Sequence, residues 1–91
     1  MRARKALGSD NIDRLIFMCP GCNDMHQVTV GRQGAWGWNG SLENPTLEGS
    51  VLVRGGTHNI ICHSFIRDGQ AIFLTDCTHD KAGQTLYLPE V

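Results

Sequence analysis

Four cysteines and four histidines are the residues of this 91-residue chain best suited to metal or redox chemistry. Cys19-Pro20-Gly21-Cys22 is a C-x₂-C pair, a tight turn that offers Zn²⁺ two of the four thiolate or imidazole ligands it takes at tetrahedral angles. Gly21 permits the close turn and lets nearby backbone N–H groups point at the sulfurs. A thioredoxin-type redox pair shares this spacing but sits at a helix N-terminus, where the dipole lowers a thiol pKa. Nothing after Cys22 reads as a helix, so a metal is preferred to a redox pair or to plain buried thiols. Cys62 and Cys77 supply the second half of the site, and His79 follows Cys77 by two positions. The expected ligands are Cys19, Cys22, Cys62 and Cys77, with His79 as the alternative fourth ligand.

The element that must bring the second half together is a hairpin over Cys62–His79, turning at Asp68-Gly69. Asp-Gly favours a two-residue type I′ turn, which needs positive φ at both central positions. That turn pairs Arg67 with Gln70 and Ile66 with Ala71, and by extension Cys62 with Thr75. Alternation then places Cys62, Ser64, Ile66, Ala71, Phe73, Thr75 and Cys77 on one face, with His79 joining them if the strand persists. Ile61, His63, Phe65, Ile72, Leu74 and Asp76 fall on the other. Both faces are substantially apolar, which suits an interior hairpin. A bulge would let His63 reach the metal. Asp76 either orients a ligand imidazole or forms a turn. His26 reads as a surface or supporting histidine, and His58, in a glycine-rich loop, as solvated.

Ninety-one residues make one small domain, a size at which a metal or disulfide often supplements a limited core. Three of the eight basic residues are Arg2, Arg4 and Lys5; the rest of the chain sets five basic against nine acidic side chains, a net of −4. Nucleic-acid affinity without sequence preference comes from clustered Lys and Arg, so this body is a poor phosphate binder. No apolar run approaches the roughly 20 residues of a membrane span, and no apolar segment backs the basic N-terminus as a secretory signal would. A cytoplasmic, reducing setting is expected, where four cysteines favour a metal over disulfides.

Residues 1–13 read as a flexible N-terminal arm and 14–91 as a single zinc-binding β domain. Arg14–Met18 is β-prone and leads to Cys19, and Met25–Val30 returns as a second strand. Trp36 and Trp38 share a face of an extended segment, as core aromatics or as an exposed stacking platform. Pro45–Val53 reads as one strand with the proline at its start, and Gln84–Leu88 as a closing strand. No stretch of ten or more residues has helical periodicity. The fold class expected is all-β, a small zinc-stabilised rolled sheet or sandwich of about seven short antiparallel strands.

The order Cys-Pro-x-Cys, Trp-x-Trp-Asn-Gly, Pro-Thr-Leu, Cys-His-Ser-Phe-Ile-Arg-Asp-Gly and Asp-Cys-Thr-His, with Ala-Gly-Gln-Thr before Leu-Pro, covers about residues 15–90. It resembles a family of small phage and prophage proteins catalogued as a domain of unknown function, some of them labelled ammonia monooxygenase. The resemblance implies a small metal-binding β domain of phage origin and supplies no reaction. The monooxygenase label does not suit these residues, since such enzymes are large membrane assemblies with histidine-rich copper sites.

The function expected from the sequence is a non-catalytic, zinc ribbon-like module that binds an unknown protein partner. One alternative is a zinc-dependent hydrolase with an open metal position and Asp76, Asp80, His63 or His79 as general base. Another is a single-stranded nucleic-acid binder using Trp36 and Trp38, which the acidic body disfavours.

Overall fold

Leu15, Phe17 and Cys19 alternate along one face of their segment, and His26, Val28 and Val30 do so along the next. In the computed structural model, which describes residues 1–7, 13–55 and 60–91, these faces turn inward on two paired strands. The described residues contain no helix. Their strands are β1 (Arg4–Leu7), β2 (Asp13–Cys19), β3 (Asp24–Thr29), β4 (Gly37–Trp38), β5 (Leu47–Glu48), β6 (Val51–Gly55), β7 (Ile60–Arg67), β8 (Gln70–Phe73) and β9 (Thr85–Tyr87). They form three antiparallel sheets, β1-β2-β3, β4-β5 and β6-β7-β8-β9.

The core joins the inner faces of the two larger sheets. Leu15, Phe17, Cys19 and Val28 come from one, and Val51, Cys62, Ile66, Ala71 and Phe73 from the other. The β7–β8 turn has φ of 49° at Asp68 and 76° at Gly69, and it sets Arg67 opposite Gln70 and Ile66 opposite Ala71. The hairpin is interior, flanked by β6 and β9. Ile66 is fully buried, so Ile66→Ala should destabilise the fold by about 2–5 kcal/mol, lost transfer energy plus a cavity. A lowered urea midpoint at unchanged m-value would show it.

Three expectations need correction. Within the segment read as a flexible arm, Arg4–Leu7 is an edge strand paired with β2, and Ala3 is fully buried. Its charge masked the strand: Arg4 and Lys5 face water, and Lys5 meets Asp13 at 3.2 Å. The rest of that arm, residues 8–12, lies outside the described residues, as does His58. The strand expected over Pro45–Val53 is broken, because Gly49 takes φ 93° and separates β5 from β6 with Ser50 at the bend. Beyond Phe73 the extended register also ends. Leu74 N still donates to His63 O, but the next bond is from Thr78 N to Ile61 O. Residues 75–77 therefore loop out, and Thr75 does not face Cys62.

Candidate functional site

Cys19 ends β2 and Cys22 lies in the turn to β3, where Asn23 N donates to Cys19 O at 2.9 Å and Cys22 N to Cys19 Sγ at 3.4 Å. Two residues into β3, His26 points inward opposite Phe17, its ring edge-on to that phenyl at 5.8 Å. From the facing sheet, Cys62 brings its Sγ to 3.7 Å from that of Cys19. One ligand atom from each of Cys19, Cys22, His26 and Cys62 lies within 4.8 Å of the others. Three of these residues are buried and Cys22 is half-buried.

The electrostatics of the cluster suit a cation. The Cys62 thiol hydrogen-bonded to Cys19 draws that group down to about 3, helped by His26 and by the Cys22 and Gly21 backbone N–H groups against the effect of burial. Burial pushes Cys22 up to about 11, and its bond to Cys19 raises Cys62 further. Adjacent thiolates repel, so the three ionise together only around a positive ion. His26 Nε2, like His79 Nε2 and Arg2 Nε, is buried with no hydrogen-bond partner, and of the three it is the His26 ring that lies in the cysteine cluster. The four residues can therefore hold a metal ion, joining β2 and β3 to β7.

His26 thus stands where Cys77 or His79 was expected. The loop at 75–77 turns the Cys77 sulfur to the backbone of His63, whose N–H donates to Sγ at 3.2 Å while the thiol donates to His63 O at 3.2 Å. The His79 ring covers Gly21, where an added Cβ would lie 2.5 Å from the imidazole, and it meets Phe73 edge-on at 4.7 Å. Its Nδ1 accepts from Lys81 N at 3.2 Å. The signal for His26 was the Cys22-x₃-His26 spacing combined with alternation along β3, which puts His26 on the face of Val28.

A second constellation lies on the opposite face of β7. His63, next to Cys62, points away from the cluster. Its Nδ1 is 3.0 Å from Asp76 Oδ2 and its Nε2 3.0 Å from Ser50 Oγ. A carboxylate only accepts, so Nδ1 carries the proton and the Nε2 lone pair accepts the Ser50 hydroxyl proton. A hydroxyl, an imidazole and a carboxylate in that order are the parts of a serine nucleophile with its base and orienting acid. The His63 side chain is 23% exposed and that of Asp76 54%, so water screens the carboxylate charge and its effect is mainly orientational. His63 projects from regular strand, but its two partners each depend on a departure from it: Ser50 on the bend after Gly49, Asp76 on the loop after Leu74.

Trp36 holds the Ser50 backbone. Its indole N–H donates to Ser50 O at 3.1 Å, and its own N–H to Thr29 O at 3.1 Å, tying the bend to the end of β3. Trp38 Nε1 donates to Ser41 O at 3.1 Å, and both indoles pack half-buried against the core. Trp36→Phe keeps the ring and removes the donor. A net hydrogen bond of about 1 kcal/mol predicts a thermal midpoint lowered by roughly 4–8 °C, read in a calorimetric scan.

Fold and site together define a small all-β protein with a Cys₃His cluster on one face of a strand and a Ser–His–Asp line on the other. The chain belongs to the bacterial ubiquitination-like system serine protease (BubE) family, which it matches over residues 2–74. That span contains Ser50, His63 and all four cluster residues, and Asp76 lies two positions beyond it. No curated protein and no solved structure matches the chain.

Proposed function

We propose that this protein is a zinc-stabilised serine protease of a ubiquitination-like system, with Ser50 as nucleophile, His63 as general base and Asp76 as its orienting partner. The observation that carries this is the unbroken line of Asp76, His63 and Ser50 through two contacts of 3.0 Å. Family membership agrees with it. In the reaction, Ser50 Oγ bonds to the scissile carbonyl carbon as its proton passes to His63 Nε2. The C–N bond then breaks, with His63 returning that proton to the leaving amine. Water, deprotonated by the same nitrogen, hydrolyses the acyl-serine and restores the hydroxyl.

Zinc at Cys19, Cys22, His26 and Cys62 completes the reading, because three thiolates and an imidazole are a common Zn²⁺ set. Four protein ligands fill a tetrahedral ion, so its contribution is structural: it anchors β7, from which His63 projects. This differs from the non-catalytic binding module expected from the sequence, and the partner becomes a polypeptide substrate. The free cysteines agree with a reducing, cytoplasmic setting.

Labelling with an alkyl fluorophosphonate tests the proposal, since the reagent phosphonylates activated serines with loss of fluoride. One adduct on Ser50, located by peptide mass spectrometry and absent from Ser50→Ala, is expected. No adduct on the zinc-loaded protein, or an adduct only on another residue, would overturn it.

A further inference from the structure

The free edge of β6 is the feature that the Ser50–His63–Asp76 line leaves unexplained. Which backbone groups it presents follows from β7. Ile61 O and His63 O accept from Thr78 N and Leu74 N, while Ile61 N and His63 N donate to Thr78 Oγ1 and Cys77 Sγ. The odd residues of β7 therefore spend their backbone groups away from β6, and Ile60, Cys62 and Ser64 turn theirs toward it. In the observed register those three face Gly55, Val53 and Val51, and facing residues of a bonded pair exchange both hydrogen bonds. Leu52 and Arg54, opposite His63 and Ile61, are left with N–H and C=O pointing outward. β6 ends its sheet, and among the described residues nothing pairs with those groups.

Exposed, unpaired edges of this kind are usually blocked or covered. Here the edge starts two residues after the nucleophile and on the same side as the base. By alternation Ser50, Leu52 and Arg54 share a face with His63, and Leu52 is 44% exposed there. The Trp36 indole already occupies Ser50 O, so the free stretch begins at Leu52.

We infer that the polypeptide substrate docks as an added strand on β6, exchanging backbone hydrogen bonds with Leu52 and Arg54 and resting a side chain on Leu52. This rests on the protease reading and extends it to the form of the substrate. A row of alternating donors and acceptors two residues apart matches an extended peptide backbone and little else. Main-chain pairing supplies affinity, and the adjacent nucleophile acts on the bond that the strand delivers.

The test compares two serine-directed reagents: an alkyl fluorophosphonate, which has no peptide to dock, and acetyl-tetrapeptidyl diphenyl phosphonates with Gly, Ala, Leu or Phe at the reactive position. Arg54→Pro removes one outward N–H without removing a bond to β7, a place where edge strands accept proline. The expected result is that the best peptide reagent inactivates Ser50 at least ten-fold more slowly in Arg54→Pro, with fluorophosphonate labelling changed less than two-fold. N-methylation of the peptide backbone should reproduce the loss in the parent protein. Equal peptide reactivity in parent and variant, or with and without N-methylation, overturns the docking mode while leaving the protease reading intact. Failure of both reagents to label Ser50 overturns both.

Discussion

Ser50→Ala should abolish hydrolysis, lowering kcat by about 10⁴-fold or more, with zinc content and thermal midpoint unchanged. The hydroxyl is half-buried on a bend and its loss leaves little cavity, so the effect falls on chemistry and spares the fold. No neighbour can substitute. Ser64 is adjacent to His63 in sequence, but it is 2% exposed and faces the core on the other side of β7. His63→Ala should cost about as much, since base and nucleophile act as a unit. Asp76→Asn should lose less, toward the lower part of a range of about 10²–10⁴-fold, because a half-exposed carboxylate contributes orientation more than charge. Turnover of a peptide or activated-ester substrate measures all three variants. Residual activity of Ser50→Ala near the parent level would remove Ser50 from the mechanism.

Removal of the metal should unfold the protein. One equivalent of zinc is expected in protein purified without added metal, and 1,10-phenanthroline should collapse the strand signal in far-UV circular dichroism. Structural sites of this type have apparent affinities of ~10 kcal/mol or more, which become folding free energy, comparable to the whole stability of a small domain. Cys62→Ser and His26→Ala should lose zinc, whereas Cys77→Ser and His79→Ala should keep it. The thiols ligate as thiolates, so protons compete with the ion and occupancy should fall as pH falls. Activity should disappear with the fold, since Cys62 and His63 are consecutive residues of β7. Zinc kept by His26→Ala and lost from Cys77→Ser would reinstate the ligand set read from the sequence.

Local rules carried the sequence reading far where the physics was local. Asp68-Gly69 fixed the β7–β8 register because only certain residues accept two consecutive positive φ values. The all-β class followed from the lack of helical periodicity, and Cys19-Pro20-Gly21-Cys22 announced a metal-binding turn. Regular strand geometry stops at two places that no local signal marks. Extending the hairpin register past Phe73 put Cys77 beside Cys62, but the loop at 75–77 displaces it and presents Asp76 to His63 instead. Continuing a strand through Gly49-Ser50 hid Ser50 inside an element that the structure breaks.

The sequence by itself determined the strands with clear alternation, the type I′ hairpin and three of the four clustered residues, Cys19, Cys22 and Cys62. The strands, the hairpin and the Cys19/Cys22 pair depend on preferences within a few residues, and Cys62 on alternation along the strand that leads into the Asp68-Gly69 turn. Tertiary structure alone decided that His26 joins that cluster, because only sheet-on-sheet packing says which inward-facing residue meets Cys62. It alone brought Ser50, His63 and Asp76 together from three segments through a glycine bend and a strand-end loop. A serine thirteen residues before a histidine, and an aspartate thirteen after it, have no common local signal. Their alignment arises from the pairing of β6 with β7 and the return of the chain after β8, and so exists only in the folded chain.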